Sequence, residues 1–141
     1  MSKGANGAGR RKIPKSNLSL WLPVGVWMGV IFWLSSQPHL PNVPIIGAID
    51  WGDKIEHAIA YAIGGWLTWR ALGGRMFGRR RVIVAIVIAA AYGLTDEIHQ
   101  RFVPPRQFDM FDLTADVVGS AIAAFALGLA AKARRNGKRG T

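Results

Sequence analysis

A chain of 141 residues that is 50% hydrophobic and holds six Trp has room for one domain and the composition of a membrane protein. It contains no cysteine, which excludes disulfides and thiolate metal sites. A formal net charge of +10 at pH 7 points either to nucleic acid or to an anionic membrane surface, and the distribution of that charge decides between them.

Residues 1–17 are Gly-rich and basic, with Lys3, Arg10, Arg11, Lys12 and Lys15, and lack apolar periodicity; they read as a disordered tail. Residues 18–34, LSLWLPVGVWMGVIFWL, carry no charge and read as a first membrane helix. A cleavable signal peptide is the rival, because a basic segment comes first, but the run is long, Trp-rich and lacks an A-x-A-like site. Residues 35–52 hold three prolines and two glycines and read as a loop. Asp53 is then an N-cap or first-turn residue for a second helix over 54–72, ended by Gly73 and Gly74. A basic turn, 75–81, leads to a third helix over 82–100. Pro104-Pro105 breaks the chain, and Asp109 or Asp112 restarts it as a fourth helix ending near Lys132. The expected organisation is an all-α, integral membrane four-helix bundle over 18–131, with basic tails at 1–17 and 132–141.

The cations orient this bundle. The N-terminal tail, the turn holding Arg70, Arg75, Arg79, Arg80 and Arg81, and the C-terminal tail with Lys132, Arg134, Arg135, Lys138 and Arg139 all fall on one side. Only Lys54, Arg101 and Arg106 fall on the other. Both termini are predicted cytoplasmic, in a multi-pass protein of the cytoplasmic membrane. The charge is thereby accounted for without a nucleic-acid partner. All eight acidic residues and all three histidines (His39, His57 and His99) lie on the opposite, outer side.

Helix rise turns the basic ends into rulers. From Arg81 to Asp96 is about 22 Å, from Lys132 back to Asp116 about 24 Å, and from Arg70 back to His57 about 20 Å. Against a hydrocarbon core of about 30 Å, these groups sit at one depth in the outer leaflet. A charge at the bilayer centre costs roughly 2.5–3.5 kcal/mol on insertion scales, so such groups should face one another and not lipid. Asp53, His57 and Tyr61 share a stripe of the second helix. Asp96, His99 and Gln100 share a face of the third, with Tyr92 a turn below, and Asp112, Asp116 and Ser120 line the fourth. Gly64, Gly65, Gly93, Gly119 and Gly128 permit close helix approach. The loop 101–111 is expected to roof a polar pocket and present Arg106 to it.

Three segments, SSQP after the first helix, DKIEHAIAYAIGG, and YGLTDEIHQRFVPPRQFDMFDLTADVVGS, resemble the VanZ-like family of small membrane proteins, over residues 18–131. The resemblance implies that Asp53, Lys54, His57 and Tyr61 match one polar motif. It also implies that Asp96, Glu97, Gln100, Phe102, Arg106 and Asp112 match a second, with Gly119 the small residue after it. Two departures stand out: Asp116 where the family usually has Asn, and Pro104-Pro105 where it usually has Pro-Gly. The family's named member is associated with low-level resistance to the glycopeptide teicoplanin.

The polar set supports several chemistries. Asp53, His57, Glu97 and Asp112 are the candidate catalytic groups if the chain is an enzyme, acting on a lipid-linked phosphate as acid–base groups or ligands of a divalent metal. Lys54, Tyr61, Asp96, Gln100, Arg106 and Asp116 are candidate ligand-binding residues. Among them Arg106, assisted by Lys54 and His57, suits an anionic envelope lipid or peptidoglycan precursor. A purely structural ion-pair network accounts for the same residues. A small proton-coupled transporter is a further reading, weakened by the lack of polar groups in the inner half of each helix. No HExxH, Ser-His-Asp order, phosphate-binding glycine loop or lipid-phosphatase signature is present. His99 is expected only to cap a helix end, and the Trp residues to serve as interfacial anchors and packing.

Overall fold

The computed structural model describes residues 17–38, 51–73 and 75–138. The N-terminal tail, His39, Asp50, most of the first expected loop and Gly74 lie outside the described residues. Four helices follow one another: α1 (Asn17–Ser35), α2 (Gly52–Ala71), α3 (Gly78–Gln100) and α4 (Met110–Gly137). Three of them, α1, α3 and α4, are long and apolar enough to cross a membrane. The polar residues Asp53, Lys54, Glu56, His57 and Arg70 keep α2 below that mark, and it packs along the other three.

Several boundaries differ from the sequence expectation, each for a physical reason. Ser35 belongs to α1 and not to the loop, because its hydroxyl finds a buried partner on α3. The cations Arg79, Arg80 and Arg81 lie in the first turn of α3 and not in the preceding turn. Cations there oppose the helix dipole. Arg81 is held in place because its Nε donates to the Trp69 carbonyl at 2.7 Å and its guanidinium lies 3.4 Å above the Trp69 ring. α4 continues past Lys132 to Gly137, since the intervening Ala, Lys and Arg residues favour helix and the last-turn cations complement its C-terminus. Asp109 is its N-cap, accepting the Phe111 N–H at 2.8 Å. Asp53 takes the first-turn position in α2.

Paired residues give the chain directions. Met28 meets Tyr92 and Ser35 meets Asp96, so α1 runs parallel to α3. His57 meets Asp116 and Lys54 meets Asp112, so α2 runs parallel to α4. The alternation gathers the C-terminal ends of α1 and α3 with the N-terminal ends of α2 and α4 at one pole. Arg70, Arg79–81 and Lys132 fall at the other.

The α2–α4 contact is the most extensive and depends on missing side chains. A Cβ on Gly119 would overlap the Ala58 carbonyl, and one on Gly65 would meet the Ser120 backbone. The Cβ positions of Gly64, Gly93 and Gly128 are likewise taken by Trp27, by Asp116 with Tyr61, and by Val82. This bears out the close approach expected from those glycines. Trp27 is a core residue: its indole donates to the Ala60 carbonyl at 3.1 Å and its ring meets Tyr61 edge-on at 5.3 Å. Leu22, Val26, Val30, Ile59, Ile63, Val87, Ile122 and Phe125 point outward, an arrangement suited to lipid. Helix α1 packs on α2 and α3 and makes no close approach to α4.

Candidate functional site

The polar pole holds three linked groups of side chains. In the first, Lys54 at the start of α2 lies 2.8 Å from Asp53 Oδ2, 2.7 Å from Asp109 Oδ2 and 2.6 Å from Asp112 Oδ1. One ammonium with three donors thus faces three carboxylates. Asp109 lies outside the helices, and Lys54, followed by the Phe111 N–H, holds its carboxyl below the ordinary value of 3.8. Asp53 turns towards the outside, with its side chain 60% exposed.

The second group is deeper. His57 Nδ1 lies 2.9 Å from Asp116 Oδ1, and its Nε2 lies 3.8 Å from Asp112 Oδ2. Asp116 and Glu97 are both 0% exposed. Glu97 Oε2 accepts the Asp109 backbone N–H at 2.9 Å, which ties the end of α3 to the start of α4. Glu97 Oε1 and Asp116 Oδ2 have no hydrogen-bond partner among the described residues, nor does the hydroxyl of buried Tyr61.

The third group joins α1 to α3. Ser35 Oγ donates to Asp96 Oδ2 at 2.7 Å, and Gln100 Nε2 reaches both of these atoms at 3.4 Å. His99 Nε2 lies 3.0 Å from Ser36 Oγ, and its ring stacks on Phe32 at 4.5 Å. His99 therefore packs against α1 in addition to ending α3.

Two cavities meet at this pole. One, of about 640 Å³, is polar and lined by Lys54, His57, Arg106, Phe108, Asp109 and Asp112 among others. The second, of about 610 Å³, is walled by Ile31, Trp33, Leu34, Ile59 and Ile63 between α1 and α2. Both are lined by Glu56, His57, Gln100 and Arg106. Arg106 Nε donates to the Gln37 carbonyl at 3.0 Å, which fixes the loop against the end of α1.

Of the residues expected at the site, Lys54, His57, Gln100, Arg106 and Asp112 come together at the cavities, with Glu97 and Asp116 buried behind them. Asp96 and Tyr61 sit at the wall of the apolar cavity. Asp53 also lines the polar cavity, paired with Lys54, but lies outside the His57–Glu97–Asp116 cluster. Sequence reasoning missed Glu56, which lines both cavities, and the partner of Ser35, a residue it had noted only as the first of the SSQP segment. It also read Asp109 solely as a helix start, although it is a partner of Lys54.

Apolar outward faces around a buried cluster of carboxylates, imidazole and serine at one pole define a helical membrane protein with polar side chains gathered inside it. The profile of the VanZ/LLP1 family matches residues 20–131, and the chain belongs to that family. No curated protein and no solved structure matches the chain significantly.

Proposed function

We propose that this protein holds a lipid-linked cell-envelope precursor, peptidoglycan intermediates being the model case, at the outer leaflet of the cytoplasmic membrane. By doing so it would influence susceptibility to glycopeptides such as teicoplanin, as the family resemblance implies. The observation that carries the reading is the pair of cavities with Glu56, His57, Gln100 and Arg106 in common. An apolar channel between α1 and α2 suits a lipid chain, and the polar chamber beside it suits a headgroup. Lys54 is already engaged by three carboxylates, so the oxyanion falls to Arg106, whose planar fork matches phosphate. Glu56, Asp109 and Asp112 offer acceptors for hydroxyl or amino groups of a sugar or peptide. The ligand favoured by this wall carries both phosphate and hydrogen-bond donors.

The test is binding of polyprenyl-linked pyrophosphate sugars to full-length protein in nanodiscs, with phosphatidylglycerol as competitor. The expected result is saturable binding that resists phosphatidylglycerol and weakens at least tenfold in Arg106→Ala. Equal binding of both lipids sinks the proposal. A second reading, a hydrolase or transferase acting on the same lipid-linked phosphate, draws on half-buried His57 with buried Glu97 and Asp116. Release of phosphate or sugar in the same assay distinguishes it from binding alone.

A further inference from the structure

We propose that His57, Glu97 and Asp116 form a site for one divalent transition-metal ion of the Zn²⁺ or Mn²⁺ kind. One ligand atom from each lies within 4.8 Å of those of the other two. The three side chains come from α2, α3 and α4, so the ion would join three helices at the end where their backbones diverge into loops.

The argument begins with charge. Glu97 and Asp116 are 0% exposed, and each has a carboxylate oxygen without a partner among the described residues. Buried carboxylates are costly unless paired, and an unpaired acceptor adds its full desolvation cost. Lys54 is 2.6–2.8 Å from Asp53, Asp109 and Asp112, and its contacts are with those three. Arg106 donates to the Gln37 carbonyl. His57, bonded to Asp116 at 2.9 Å, supplies at most one positive charge for two buried carboxylates. A divalent cation matches their summed charge and gives each carboxylate a further partner.

The geometry agrees. Three donors at about 2.0–2.2 Å from one ion stand about 3.3–3.6 Å apart, so the cluster closes with side-chain shifts of about 1–1.5 Å. Supporting groups are in place. Glu97 Oε2 is held by the Asp109 N–H. With Nδ1 of His57 on the ion, Nε2 carries the proton and faces Asp112 Oδ2, now 3.8 Å away. A carboxylate behind a ligating imidazole is the usual partner of such a ligand. The donor set decides the metal class: one imidazole with two carboxylates suits Zn²⁺ or Mn²⁺, whereas Ca²⁺ takes six to eight oxygens and Mg²⁺ retains its waters. Three protein ligands leave a position open, and His57 lines both cavities, so that position faces the chamber.

The site holds whether or not a lipid binds, so its test is separate from that of the lipid reading. Full-length protein in nanodiscs, purified without chelators, is assayed for metal content, then stripped and titrated with Mn²⁺, Zn²⁺ and Ca²⁺. One Mn²⁺ or Zn²⁺ per chain is expected, with Ca²⁺ at least tenfold weaker. Nitrogen couplings should appear in the Mn²⁺ electron-spin-echo spectrum and vanish in His57→Gln. Glu97→Gln and Asp116→Asn should each weaken binding at least a hundredfold, and Asp112→Asn about tenfold through its hold on the imidazole. Absence of stoichiometric binding by the wild type overturns the proposal without recourse to any variant, as does binding unchanged in Glu97→Gln. Protein that binds metal but no lipid removes only the lipid reading; protein that binds lipid but no metal removes only this one.

Discussion

Glu97 and Asp109 are joined across the helix break: Glu97 Oε2 accepts the Asp109 backbone N–H at 2.9 Å. The same Asp109 caps α4 through Phe111 and binds Lys54 of α2 at 2.7 Å. One half-exposed carboxylate therefore anchors the loop roofing the polar chamber, while the buried Glu97 beneath it is oriented by the backbone of that loop. The order of the lid and the placement of a buried site carboxylate are consequently coupled.

Asp109→Asn separates charge from capping, since Asn caps a helix about as well as Asp. The folded-state pKa of Asp109 is depressed, chiefly by Lys54. Its contribution to stability is therefore complete above the ordinary value of 3.8 and is lost as pH falls through that value to the lower folded one. Thermal midpoints in detergent between pH 3 and 7 should show the wild type losing its advantage over Asp109→Asn below about pH 4. Asp109→Ala should lose a further contribution of about 0.5–2 kcal/mol at every pH, because the cap goes as well. An Asn variant that tracks the wild type throughout refutes the charge argument.

Ser35→Ala removes the donor to Asp96, a carboxylate only 3% exposed. Hydrogen bonds between membrane helices average about 0.6 kcal/mol and reach about 1.7. A buried carboxyl acceptor that would otherwise lose its partner places this one at the upper end, about 1–2 kcal/mol. Ser36→Ala, at a part-buried contact with His99, should cost about half as much. Unfolding in mixed micelles measures both. A double-mutant cycle with Asp96→Asn should return a coupling energy for Ser35 and none for Ser36.

How far the site could be read in advance depended on the kind of information needed. Helices α1, α3 and α4 follow from apolar runs bounded by charge or proline, and the common depth of His57, Asp96 and Asp116 follows from rise per residue. Periodicity says which residues share a face of one helix and leaves open how that face turns towards its neighbours. Asp53 lies on the same stripe as His57, yet it turns to Lys54 at the mouth of the polar cavity, while Asp116 and Glu97 reach the imidazole from other helices. The engagement of Lys54 by Asp109 required the path of the lid, which no pattern in Pro104 to Phe108 encodes. Ser35 was visible as the first residue of SSQP, but a serine at a helix end does not say which helix it meets, so its bond to Asp96 was not legible.

Gly119→Ala should be disproportionately harmful. Its Cβ would overlap the Ala58 carbonyl, and backbone cannot rotate aside. The expected cost is about 1–3 kcal/mol, as for overpacking in a core. Because Ala58 follows His57, the displacement should also weaken any ligand that depends on His57. Gly25→Ala is the matched control: nothing lies within 4 Å of its Cβ position, so the change should be neutral or stabilising by up to about 1 kcal/mol. Comparable effects from the two variants refute the idea that α2 and α4 are set by backbone contact.

The orientation of the bundle yields to a labelling experiment that the composition makes simple. The chain has no cysteine, so a single introduced thiol reports its own side without a background. Gln107 is exposed in the lid and Gly137 is exposed at the end of α4, at opposite poles of the bundle. The positive-inside rule, applied to Arg70, Arg79–81 and Lys132–Arg135, predicts that the α4 end is cytoplasmic. Gln107→Cys should then react with a membrane-impermeant maleimide in intact cells, and Gly137→Cys only after permeabilisation. The reverse pattern would turn the polar chamber towards the cytoplasm. It would leave the geometry of His57, Glu97 and Asp116 intact but replace outer-leaflet precursors with inner-leaflet ones as the lipids within reach.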